Sequence, residues 1–171
     1  MLRKFVSSLL VLFLLVGCSS KGEEATPDEG EDASEENSGE EVANDVGSMA
    51  DYLKDTLNFA TEMSEQRENT MMGMLFQMDK ECVTGGKLYL SSDKTSDTVG
   101  VFETTDASKC IEYINSYIET LKDTANNYTP EETFKIDKAI VEQNGDGSIV
   151  AFVICDEIEV AKNEINNLLG K

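Results

Sequence analysis

Residues 134–155, FKIDKAIVEQNGDGSIVAFVIC, set two apolar runs on either side of a turn signal. Asn144-Gly145-Asp146-Gly147 is a cluster of residues that tolerate left-handed backbone, and such clusters between apolar runs close hairpins. Beyond it, Ile149-Val150-Ala151-Phe152-Val153-Ile154-Cys155 has no polar position at either parity. A strand with one wet face alternates, whereas one covered on both faces does not. This run is therefore expected inside a sheet with a layer on each side, paired with a strand from Phe134 to Val141. A calcium loop is the competing reading of Asn144–Gly147. It fails on spacing, because the twelfth position from Asp146 is Glu157 and apolar strand fills the interval.

Upstream the pattern recurs. Leu88-Tyr89-Leu90 and Val99-Gly100-Val101-Phe102 flank the polar stretch SSDKTSDT, which predicts a hairpin. Asp106 or Ser108 is placed to cap a helix with Cys110, Ile111, Ile114, Tyr117, Ile118 and Leu121 on one face. Pro130 marks the loop after it. A last helix carries Val160, Ala161, Ile165, Leu168 and Leu169 and stops at Gly170. Ahead of the first hairpin, Met49, Tyr52, Leu53, Leu57, Ala60 and Met63 recur at helical spacing, with Ser48 as candidate cap. The expected order is α-ββα-ββα, an α+β fold whose antiparallel four-stranded sheet is layered with helices.

Between the first helix and the first hairpin, Met71-Met72-Gly73-Met74-Leu75-Phe76-Gln77-Met78 is rich in methionine. Thioethers fill irregular core gaps, and they also make adaptable binding surfaces or ligate copper. Core filling is the simpler expectation.

The chain begins differently. Arg3 and Lys4 precede an apolar run from Phe5 to Val16, too short for a span of roughly 20 residues and suited to the core of a secretory signal. Leu15-Val16-Gly17-Cys18 closes the run and resembles the bacterial lipobox. That resemblance implies diacylglyceryl transfer to the Cys18 thiol, removal of residues 1–17 as signal peptide, and a protein held at the cell membrane facing outside. Two acyl chains make a stable anchor where one is marginal. From Ser19 to Ser48, eleven of thirty residues are acidic and none is aromatic. Such a segment buries too little apolar surface to offset its entropy, so residues 18–48 are expected as the lipidated cysteine and a disordered acidic tether spanning about 30 Å. The single folded domain is expected over residues 49–171.

The segment from about Met71 to Gly170 resembles an uncharacterised lipoprotein domain of Clostridia and related Gram-positive bacteria, domain-of-unknown-function family 4358. The strand end VFETTD at Val101–Asp106, the long helix after it, the Tyr128-Thr129-Pro130 loop and KIDKAIVEQNGDGSIVAFVICD at Lys135–Asp156 carry the likeness. These motifs are structural, so the resemblance implies lineage and architecture and assigns no activity or site.

Composition narrows the chemistry. With 34 acidic against 14 basic residues and no histidine, the chain lacks both the cations that displace counterions from nucleic acid and an imidazole base. Ser-His-Asp and Cys-His triads and His-ligated metals are thereby excluded. Cys82, Cys110 and Cys155 match no metal or redox spacing, and either one disulfide with a free thiol or three buried thiols suits them. Asp93 and Asp97 are the nearest thing to a paired acid and base, but loop carboxylates without an apolar pocket rarely shift far enough for that work. No catalytic, metal-binding or cofactor-binding residue is assigned, and Cys18 is the one site residue. The expected function is a non-enzymatic binding or accessory lipoprotein with an envelope protein or glycan as partner. The alternative is an envelope enzyme using carboxylate acid/base chemistry. Leu88–Leu90 is the candidate sheet edge for capturing an extended partner.

Overall fold

The computed structural model describes residues 45–171; Cys18, the signal segment and nearly all of the acidic segment lie outside them. The elements are α1 (Val46–Thr56), β1 (Met63–Glu65), a π-helical turn (Thr70–Leu75), β2 (Val83–Ser91), β3 (Thr98–Thr104), α2 (Ala107–Tyr128), α3 (Thr133–Ile136), β4 (Ile140–Gln143), β5 (Ile149–Ile154) and α4 (Ile158–Leu168). The strands form an antiparallel sheet in the order β1-β2-β3-β5-β4. The fold is α+β, as expected, with five strands rather than four among the described residues.

β5 lies between β3 and β4 and is buried on both faces. Its two parities feed two cores. Val150, Phe152 and Ile154 pack with Cys110, Ile114 and Tyr117 of α2 and with Met71, Met72 and Phe76. Ala151, Val153 and Cys155 pack with Met49, Ala50 and Leu53 of α1 and Ala161 and Ile165 of α4. The buried positions of each helix recur at three and four, which gives each one apolar stripe to press on the sheet. Phe102 and Phe152 are fully buried, each worth about 1.5–3 kcal/mol of transfer free energy. Phe76 fixes their geometry, meeting Phe102 edge-on at 5.4 Å and Tyr117 at 4.6 Å between centroids.

Local signals fall into place around this frame. Asp106 caps α2 by accepting from the Lys109 amide at 3.1 Å. Gly170 ends α4 with φ +69°, the left-handed position that glycine takes without strain. In the Asn144–Gly147 turn, Asn144 Oδ1 accepts from the Ile149 amide and Asp146 Oδ1 from that of Ser148. The carboxylate and amide oxygens there serve the turn itself.

Three expectations need correction. Helix α1 stops at Thr56, and Met63 is not on it but opens the fifth strand, β1. The chain is drawn out of the helix at Asn58, whose backbone and side-chain amides donate to Glu157 at 3.0–3.3 Å. Phe134–Ile136 is helical, not strand, and β4 begins only at Ile140. Phe134, Ile136 and Ile140 mimic a period of two, yet the adjacent Lys135 and Ile136 both point inward, which only a helical turn allows. Finally, the cap of α1 is Asp45; the Ser48 amide is the donor it satisfies, at 3.0 Å.

Candidate functional site

β2 is the strand on which chemistry and backbone are exposed together. Along its inner side it pairs with β3 from Val83 to Leu90. On its outer side β1 covers only Tyr89 to Ser91, with one further bond from the Gln66 amide to the Leu88 carbonyl at 2.8 Å. Leu88–Leu90 is therefore covered by β1 and is not the free edge; the free part lies just before it. Because amides and carbonyls alternate in direction along a strand, Gly86 presents its N–H and C=O on the same outer side as Leu88. Among the described residues no strand pairs with that side of Val83–Lys87.

The opening is a groove of ≈ 470 Å³ between β2 and the segment that peels away after β1. Met71 and Met72 lie beneath its floor, only 1% and 3% exposed, and Glu65, Glu68, Lys80 and Lys87 contribute charge. The rim is held by ion pairs. Lys87 Nζ lies 2.7 and 2.9 Å from the two oxygens of Asp51 and 3.5 Å from Glu65, and Lys80 lies 3.2 Å from Glu68. The Asp51 carboxylate beside Lys87 holds its ammonium pKa above the ordinary value. Tyr89 OH also donates to Asp51, so α1 braces this stretch of β2 from one face.

The far wall is backbone out of the ordinary. Met71, Met72 and Met78 are buried, as core filling requires, while Met74 is 77% exposed. Their segment takes a π-helical turn, and Gln77 then sits at φ 52°, a left-handed conformation uncommon outside glycine. The Met78 amide closes the segment on the Met72 carbonyl at 2.7 Å. Nothing in the sequence marked it beyond the methionines, since π turns have no residue signature comparable to a cap.

A second cluster closes the other end of the sheet. Lys135 Nζ lies 2.8 Å from Asp97 and 3.0 Å from Glu132, all three sheltered from solvent. Burial opposes the Lys135 charge, but the Asp97 and Glu132 hydrogen bonds outweigh it and hold the ammonium pKa above the ordinary value. Burial likewise pushes Glu132 up, and the amide and hydroxyl of Ser96, both donating at 2.7 Å, with Lys135 bring it below the usual range. Asp93, by contrast, is exposed, while Asp97 is buried and bound to Lys135, so the carboxylate offered as partner to Asp93 is already engaged. The sequence hid this cluster because its members lie on two segments far apart along the chain, Ser96–Asp97 and Glu132–Lys135.

All three cysteines of the described residues are free and buried. Burial pushes the Cys110 thiol up to about 12 and the Cys155 thiol up to about 11, which removes nucleophilic thiolate at neutral pH. Among the described residues no group of three or more His, Cys, Asp or Glu side chains is arranged to hold a metal ion, and no helix is long and apolar enough to cross a membrane.

A family model described as a domain of unknown function, DUF4358, matches residues 55–155. The chain belongs to the DUF4358 family. The matched segment of this DUF4358 domain contains all five strands and α2, so the groove and the Asp97–Lys135 cluster both fall inside it. Helix α4 and most of α1, which cover one face of the sheet, fall outside. No curated protein and no solved structure matches the chain.

Proposed function

We propose that this protein is a cell-surface lipoprotein, anchored through lipid on Cys18, whose DUF4358 domain is a non-enzymatic binding module for an extended peptide segment of an envelope partner. The observation that carries the reading is the unpaired outer edge of β2 at Val83–Lys87, which opens on the groove. An extended chain laid there gains main-chain hydrogen bonds from Gly86, and polar side chains of it meet Glu65, Glu68, Lys80 and Lys87 along the groove. Gly85 and Gly86 carry no side chains, which lets a second backbone approach closely. Five residues of β2 offer about 16 Å of edge, room for a short strand. The lipobox and acidic spacer suit such a role, since they put the domain outside the membrane and at a distance from it.

The test is a photo-crosslinking amino acid at Thr84, on the groove, compared with one at Lys162, on the exposed side of α4. In the native host, with the anchor intact, the Thr84 probe should capture a discrete envelope protein that the Lys162 probe does not. Equal capture at both positions, or turnover of a cell-wall glycan by the purified protein, overturns the reading. The anchor is tested separately: labelled palmitate should enter the wild type and not Cys18→Ser.

A further inference from the structure

A different surface stands at the sheet end where β5 finishes. Phe134 is 67% exposed and Val160 44% exposed, and with Ile158 they line a shallow depression of ≈ 460 Å³. An exposed phenylalanine on a loose loop means little. This one is rigidly mounted, because its neighbours Lys135 and Ile136 are both buried and Lys135 is fastened to Asp97 and Glu132. Thr133 ties the preceding turn by donating to the Pro130 carbonyl at 2.7 Å. The ring is held outward and has no inward alternative. Rigid, exposed aromatic side chains are the residue type that anchors interfaces, because little entropy is lost when they are covered.

The charges around the ring say what covers it. Asp156, Glu157 and Glu159 line the same depression with one lysine, Lys138, a balance of −2 among the lining residues; Lys135, 3.9 Å from Asp156, is already offset by Asp97 and Glu132. Lys138 Nζ stands 5.5 Å from the centroid of the Phe134 ring, so the ring's negative face already attracts a cation. An anionic membrane surface is repelled by this rim, and so is a second copy of the same acidic surface. We propose that the Phe134–Val160 depression docks a basic amphipathic segment of a partner protein. An apolar side chain of that segment packs on Phe134 and Val160, its cations face Asp156 and Glu159, and an arginine stacks on the ring in place of Lys138. This surface is independent of the β2 groove, and its occupant differs in being cationic rather than extended.

The probe is a synthetic amphipathic peptide of leucine and arginine, added to the isotope-labelled protein at about 0.15 M salt, where diffuse attraction is screened. Amide shifts should concentrate at Phe134, Lys138, Ile158 and Val160. Phe134→Ser and Val160→Ser should each weaken the peptide by at least about tenfold. Circular dichroism should show both variants folded, since both side chains are exposed. Shifts spread over the acidic surface, or unchanged affinity in both variants, overturn the proposal. So does movement of the same amides by phosphatidylglycerol vesicles or a chitin oligosaccharide and not by the peptide.

Discussion

The ammonium of Lys135 lies 2.8 Å from Asp97 Oδ1 with only 6% of the lysine side chain and 1% of the aspartate side chain open to solvent. The pair joins α3 to the start of β3, and Glu132 and Ser96 complete its hydrogen bonds. A buried pair gains little over an apolar replacement, but breaking one side leaves a charge in a poor solvent. Lys135→Ala should therefore cost about 3–5 kcal/mol in urea unfolding, and Lys135→Met combined with Asp97→Asn should recover most of it. A loss below about 1 kcal/mol in the single variant would mean water reaches Asp97.

Acid should loosen the same cluster. Glu132 has its carboxyl pKa held below 4.5, so the unfolded chain binds that proton more readily than the folded one. Its contribution is complete above the unfolded value and is lost as pH falls through the lower folded value. Unfolding free energy, followed from about pH 7 to about pH 3, should begin to fall below about 4.5. Glu132→Gln should show a shallower fall, the remainder coming from Asp51 and other carboxyls whose pKa is also lowered. Parallel slopes for the two proteins would show that the Ser96 and Lys135 bonds to Glu132 do not operate in solution.

The sequence disclosed what depends on neighbours along the chain and concealed what depends on neighbours in space. Val150 and Ala151 announced a strand covered on both faces, because no polar residue interrupts the run. Gly170 announced a helix end through its own conformational preference, and the start of α2 was narrowed to Asp106 or Ser108, of which Asp106 is the cap. Asn58 announced nothing: its bonds to Glu157, far along the chain, end α1 and free Met63 for β1. Lys135 misled, since a buried lysine looks like the polar half of an alternating strand until Asp97 is placed beside it. The open edge was found in the right strand but at the wrong residues, because β1 is only three residues long and leaves no periodic trace.

Gly86 faces Phe102 across β2 and β3, and its position is fixed by that ring. A Cβ there would lie 2.6 Å from Phe102 Cδ1 and 3.0 Å from the Val101 carbonyl oxygen. Gly86→Ala should cost about 1–3 kcal/mol through overpacking, and Phe102→Leu in the same chain should return part of it. Gly145→Ala is the control, because no atom lies within 4 Å of its added methyl, and it should stay within about 0.5 kcal/mol of wild type. A neutral Gly86→Ala would mean that β2 shifts away from β3 at modest cost.

The start of the folded domain is tested by where the chain is cut. Asp45 accepts from the Ser48 amide at 3.0 Å and from its hydroxyl at 2.6 Å, satisfying donors that the first turn of α1 leaves over. A chain beginning at Met49 lacks that cap and the whole first turn, including Val46, which packs against the α1–α4 core. It should melt several degrees below a chain beginning at Asp45. Asp45→Ala in the longer chain isolates the cap and should lower the melting temperature by a smaller amount. The acidic segment is judged by the opposite comparison. If residues 19–44 act as a spacer, a chain beginning at Ser19 should melt with the chain beginning at Asp45, because charge repulsion among carboxylates gives them no reason to settle on a domain that is itself acidic. A Ser19 chain that melts several degrees higher would show that the segment packs on the domain, and the β2 groove would be the first place to look for it.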